Sequence, residues 1–165
     1  MAGLRWNLAR IGVMKRLRVY ADTSVFGGCL DAEFAEASRA FFMEVAAGRF
    51  LLVISDETVR ELAQAPLAVR RVLEEVSPDD VEFVPDSDEI RQLRDAYLQA
   101  GVVGPACAED AEHIAAASVA EVDLVISWNF KHIVHFEKIR GYEAVNLMEG
   151  YKPVRIHSPR EVVRS

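Results

Sequence analysis

The chain has 165 residues, 51% of them hydrophobic, which suffices for one domain with a substantial core and is too short for two comfortable ones. Lys and Arg number 19 against 26 Asp and Glu, a net charge of −7, which excludes a broad cationic surface for gripping nucleic acid; any such contact has to be local, through metal ions or a narrow basic strip. No apolar run reaches the ~20 residues that cross a bilayer, and Cys29 and Cys107 have neither CxxC nor Cys/His spacing, so the sequence suggests a cytoplasmic protein with reduced thiols, no structural zinc site and no disulfide framework.

The first elements to read are at the N-terminus. Met1 to Arg18 holds Arg5, Arg10, Lys15, Arg16 and Arg18 and no acid, so residues 1–15 are expected to be a basic, disordered leader and residues 16–165 a single domain. "MKRLRVYAD", from Met14, resembles a natural beginning, which makes residues 1–13 either an upstream start or a flexible arm. "LRVYA" then reads as a buried strand that stops at Asp22, followed by the "TSVFGG" turn, whose glycines would let backbone approach a substrate. A helix is predicted over Asp31 to Ala47, a strand over "FLLVIS", and a helix over Glu57 to Val76 that Pro66 breaks in two. Strand "VEFV", a helix from Asp86 to Ala100, the "GVVGPA" connector, a helix from Glu109 to Glu121 and strand "DLVIS" follow. After "SWNFKH", "EAVNL" is expected as a further strand, and "VRIHSPREVV" as a loop and a short terminal helix. Strands separated by helices imply an α/β fold of three α/β/α layers around a central parallel sheet.

Ligands of open α/β sheets bind beyond the carboxyl ends of the strands. Asp22, Ser55, Asp56 and Ser127 to Asn129 all stand there. Each has an ordinary explanation as a cap or turn residue. In "SDETVRELAQAP" the apolar stripe is read as Val59, Leu62 and Ala63, which makes Glu61 a solvated helix residue on pattern alone. In "EDAEHIAAASVAEVD", Asp110 shares a face with Ile114 and Ala117, where a structural helix would carry something apolar, and the alanines place that face near the sheet. His113 is read there as a surface or packing residue. Carboxylates gathered in one cleft without clustered Cys or His call for a hard ion, Mg²⁺ or Mn²⁺, and suit hydrolysis of a phosphodiester. Trp128 and Phe130 are read as packing residues, with base stacking by Trp128 beside a phosphate-holding Lys131 as the alternative.

"VYADTSVFGG", "ISDETVREL", "EDAEHIAAA" and "DLVISWNFKHIV", in this order, resemble the four motif blocks of the PIN-domain family, in particular proteins similar to VapC-type toxins of toxin–antitoxin pairs. The resemblance runs from about Arg18 to "SPREVV". It implies a metal-dependent ribonuclease, frequent homodimerisation and an antitoxin that fills the cleft. It also assigns roles: Asp22 as the strand-end acid, Glu61 and Asp110 as further metal ligands, Ser127 as a supporting hydroxyl with Thr23 and Ser24 beside it, and Asn129 where many relatives carry a fourth acid. Asparagine offers a carbonyl oxygen and no charge, which puts full activity in question and leaves a binding protein without useful catalysis as the rival. The acidic body suggests an antitoxin with a basic segment. A reading of "ADTS" as an aspartic protease motif fails, because a second such motif is missing.

Overall fold

The computed structural model describes residues 16–164; the basic leader lies outside the described residues. Strands β1 (Leu17–Ala21), β2 (Phe50–Ser55), β3 (Val81–Val84), β4 (Leu124–Ile126) and β5 (Ile156–His157) form one fully parallel sheet in the order β3-β2-β1-β4-β5. The crossovers are helical, as the alternation of strand and helix patterns requires.

The strands are apolar on both faces because both faces are covered. Along β1, Val19 and Ala21 face one helical layer and Tyr20 the other, the two-residue alternation of a pleated strand. The first layer contains α1 (Thr23–Gly28), α2 (Ala35–Ala46), α4 (Leu67–Glu74) and α8 (Pro159–Val162), packed through Phe26, Phe41, Val69 and Trp128. The second contains α5 (Asp88–Gln99), α6 (Ala108–Val119) and α7 (Phe136–Glu149), packed through Leu93, Tyr97, Ile114 and Tyr142. Helix α3 (Asp56–Ala63) follows β2 directly, and Pro66 separates it from α4, as expected of a residue without a backbone N–H. Every residue from Ala111 to Ser118 is buried, since α6 lies between the sheet and α5 and its alanines permit that close approach.

Two expectations change. "EAVNL" is the middle of α7, not a strand: Tyr142, Val145 and Asn146 are its buried positions, spaced three and four apart as a helix demands, and the fifth strand is the later Ile156–His157. "TSVFGG" is a short helix rather than an open turn, and Gly28 serves packing: a Cβ there would stand 2.7 Å from the Trp128 Nε1 and press on the Ser38 hydroxyl.

The chain leaves β1 for β2 and β3 on one side, then returns to place β4 on the other. Such a reversal opens a crevice at the carboxyl ends of β1 and β4.

Candidate active site

Asp22 and Ser127 are the first residues beyond β1 and β4, and they meet across that crevice. Asp22 is 5% exposed. One of its carboxylate oxygens accepts a hydrogen bond from the Ser127 hydroxyl at 2.6 Å, the other from the Ser24 hydroxyl at 2.5 Å. Ser24 Oγ also accepts the Trp128 backbone N–H, and Ser127 Oγ accepts that of Asn129. The two serines thus tie the β4 exit loop to the start of α1 and fix the carboxylate between them. Burial pushes the Asp22 carboxyl above its ordinary range, only partly offset by His113 and the two hydroxyls.

Glu61 is brought in from α3 by a chain of buried hydrogen bonds. Tyr20 Oη lies 2.7 Å from Ser55 Oγ and 2.6 Å from His113 Nδ1, and the opposite ring nitrogen of His113 is bonded to Glu61. The Thr23 hydroxyl donates to the same Glu61 oxygen at 3.1 Å. Burial acts to raise the Glu61 carboxyl, but the hydrogen bond and charge of His113, with Thr23 and Arg60, overcome it and leave the group below its ordinary range. The reverse holds for the ring: burial disfavours the imidazolium, while Tyr20, Glu61 and Asp22 favour it and carry the pKa well above the usual value. His113 is 2% exposed, so it is neither a surface residue nor simple filler. The buried positions of α3 are Glu57, Thr58 and Leu62, whereas Val59 is 43% exposed. The buried face is rotated from the Val59 stripe, which turns Glu61 toward the site.

Asp110 opens α6, half-buried. Burial raises its pKa against the lowering influence of His132, His113 and the Asn129 side chain, and the charge of Glu61 raises it further. The charge of Glu61 acts on both Asp22 and Asp110, and His113 acts on all three acids, although among the described residues their oxygens do not form a trio within 4.8 Å. Asn129 shapes the loop: its Oδ1 accepts the backbone N–H groups of Lys131 (3.2 Å) and His132 (2.9 Å). Lys131 is exposed beside it. Trp128 is 6% exposed, its ring stacked on Phe34 at 4.2 Å between centroids and its N–H donated to Ser38, so the packing alternative describes it.

A hard divalent cation fits this donor set. Asp22 and Asp110 are carboxylates raised by burial, and among the described residues neither pairs with a Lys or Arg. Oxygen ligands of this kind suit Mg²⁺ or Mn²⁺, which keep several waters. Sequence reading missed the role of His113. Its signal was the alanine run just after it, which marks α6 as buried all round.

No family model and no curated protein matches the sequence. Solved structures do match. VapBC2 from Rickettsia felis bound to a DNA fragment from their promoter aligns over 86% of this chain and 98% of that one, with a TM-score of 0.53 and 11% identity. FitAcB from Neisseria gonorrhoeae aligns over 87% and 99%, with a TM-score of 0.55 and 16% identity. The chain has a PIN-like fold. At these identities the likeness is one of architecture. The tyrosyl-tRNA synthetase from Aeropyrum pernix, at a TM-score of 0.50 and 11% identity, takes in 91% of this chain but 53% of its own, so the PIN-like layers leave the activity to be argued from the site.

Proposed function

We propose that the protein is a Mg²⁺- or Mn²⁺-dependent ribonuclease and the toxin of a toxin–antitoxin pair. One observation carries the reading: two carboxylates raised by burial, the buried Asp22 and the half-buried Asp110, stand at the crevice of the sheet with no Lys or Arg paired to either among the described residues and only His113, with His132 beside Asp110, to offset them, next to a third, Glu61, that His113 keeps ionised. Buried acids in that condition are costly unless a cation compensates them.

Asp22, Glu61 and Asp110 would hold the cation, which when bound would supply an activated water and charge neutralisation at a phosphodiester. The other residues position these ligands. Ser24 and Ser127 fix both oxygens of Asp22, Thr23 and His113 orient Glu61, and Tyr20 holds the ring of His113 through Nδ1. The short Asn129 turn keeps Lys131 exposed at the rim, where its amine can meet a phosphate. An antitoxin with a basic segment suits the acidic cleft, and homodimerisation and a cytoplasmic site of action belong to the same proposal.

The test is cleavage of mixed single-stranded RNA by purified protein with Mn²⁺, with Mg²⁺ and with chelator, alongside Asp22→Ala and Asp110→Asn. Metal-dependent cleavage should fall at least about a hundredfold in both variants, the scale of losing a charge-stabilising group at a reaction centre. Unchanged cleavage by either variant would reject the assignment.

Asn129 favours a second reading, a PIN-like binding protein without useful catalysis. Its carbonyl oxygen is spent on two backbone N–H groups, so the position adds neither charge nor a free oxygen ligand. Asn129→Asp separates the two: a large gain of metal-dependent activity would support the binding protein, and loss of an existing activity would defeat it.

A further inference from the structure

At the far side of Asp110 stands a donor set of different chemistry. Cys107 ends the short 3₁₀ turn Pro105–Cys107, Asp110 lies in the first turn of α6, and His132 follows the Asn129 turn; one ligand atom from each lies within 4.8 Å of the other two. Their backbones are fixed. Cys107 N–H bonds Gly104 at 2.9 Å, His132 N–H bonds Asn129, and the His132 carbonyl accepts the Tyr142 hydroxyl at 2.9 Å.

We propose that Cys107, Asp110 and His132 form a binding site for Zn²⁺, one that competes with Mg²⁺ or Mn²⁺ for Asp110. Sulfur, nitrogen and a single carboxylate are a zinc set rather than a magnesium set, since thiolate and imidazole prefer the softer ion. The spacing agrees. Zinc bonds of about 2.3 Å to sulfur and about 2.0 Å to nitrogen at a tetrahedral angle hold the two ligand atoms about 3.5 Å apart. Cys107 Sγ and His132 Nε2 are 3.4 Å apart. Binding releases the Cys107 thiol proton to solvent and leaves a fourth position for water. The three residues are far too irregularly spaced in sequence to read as a zinc motif; two loops and a helix start bring them together. Because Asp110 serves both sites, zinc bound here withdraws that carboxylate from the crevice.

The site goes beyond the nuclease reading and shares only Asp110 with it, so its test is run without RNA. The full chain, reduced, is titrated with Co²⁺ as a spectroscopic substitute for Zn²⁺, in excess Mg²⁺. A thiolate-to-Co²⁺ charge-transfer band should saturate at one ion per chain and vanish on addition of Zn²⁺. Cys107→Ser should abolish the band, and His132→Asn should weaken Co²⁺ binding at least about tenfold. Asp22→Ala, which disables the crevice, should keep it, so failure of the nuclease reading leaves this result standing. Cys29 is not a rival source, being buried with its thiol hydrogen-bonded toward the Val25 carbonyl. A native protein without the band has only a thiol–imidazole hydrogen bond at this point, and the proposal falls; so does it if the band survives in Cys107→Ser.

Discussion

Under the proposed reading, Asp22 is a side chain that serves a site at the expense of the fold. Its two oxygens are satisfied by Ser24 and Ser127, yet the charge itself meets no guanidinium or ammonium among the described residues, and burial opposes its ionisation. Asp22→Asn removes the charge and keeps the shape, and the serine hydroxyls can rotate to accept from the new amide. In chelator at pH 8 the variant should therefore be as stable as the parent or up to about 2 kcal/mol more stable, the range expected when a buried, incompletely compensated charge is relieved. Mn²⁺ should raise the melting temperature of the parent by mass action and leave that of the variant nearly unchanged. Scanning calorimetry with and without Mn²⁺ checks both. A variant that is less stable in chelator and still responds to Mn²⁺ would mean that Asp22 is an ordinary turn residue. His113 differs, since it bonds Tyr20 and Glu61 inside the protein and its own charge is answered there.

The elements around the site hold one another by shape as much as by polarity. Gly28, the last residue of α1, lets the Trp128 indole reach Ser38 on α2 with a 2.8 Å hydrogen bond, which joins the β4 exit loop to the first helical layer. Gly28→Ala would push a methyl group against that indole nitrogen at 2.7 Å and the Ser38 hydroxyl. The expected cost is about 1–3 kcal/mol from overpacking. Ser38→Ala in the same chain should recover part of it, a coupling that a double-mutant cycle in urea measures; strict additivity would show that the glycine is not needed for this contact. Legibility of the elements followed the same physics. β1 to β4 could be read because a sheet covered on both faces needs unbroken apolar runs, and the strand ends then located Asp22 and Ser127. α7 could not, since "EAVNL" is short and apolar enough for a strand, and only Tyr142 outside it reveals the helical spacing of the buried face. Glu61 was misjudged on pattern because α3 buries the polar pair Glu57 and Thr58, which an apolar stripe cannot reveal. Cys107 and His132 stand 25 positions apart and meet only through tertiary structure.

At the scale of the whole molecule, the gathering of acids near one end of the sheet makes stability depend on pH. Glu57 and Glu112 lie side by side, buried, with Arg60 bridging them at 2.5 and 2.8 Å and Arg94 reaching Glu112 at 3.1 Å. Burial, then the hydrogen bond and charge of Glu112, push the Glu57 carboxyl up to about 8, against the pull of Arg60. The folded state thus binds this proton more tightly than the unfolded chain, in which the group ionises near 4.5. The contribution is complete below that value and is lost as pH rises toward 8. Asp22 and Asp110 are raised in the same sense and add to the slope. Glu57→Gln carries the hydrogen-bonding shape without the titration. It should match the parent at pH 4.5 and exceed it progressively up to pH 8, with no further gain above. Since Arg60 is 60% exposed and water screens the pair, the gain is on the order of 1–2 kcal/mol, or a few degrees in melting temperature. Parallel curves for parent and variant between pH 5 and 8 would mean that Arg60 alone keeps Glu57 ionised in the fold. A gain that appears in chelator and shrinks when Mn²⁺ is added would instead link the pair to the crevice, because Glu57 also lies with Glu61 and Glu109 in a group whose oxygens are within 4.8 Å of one another.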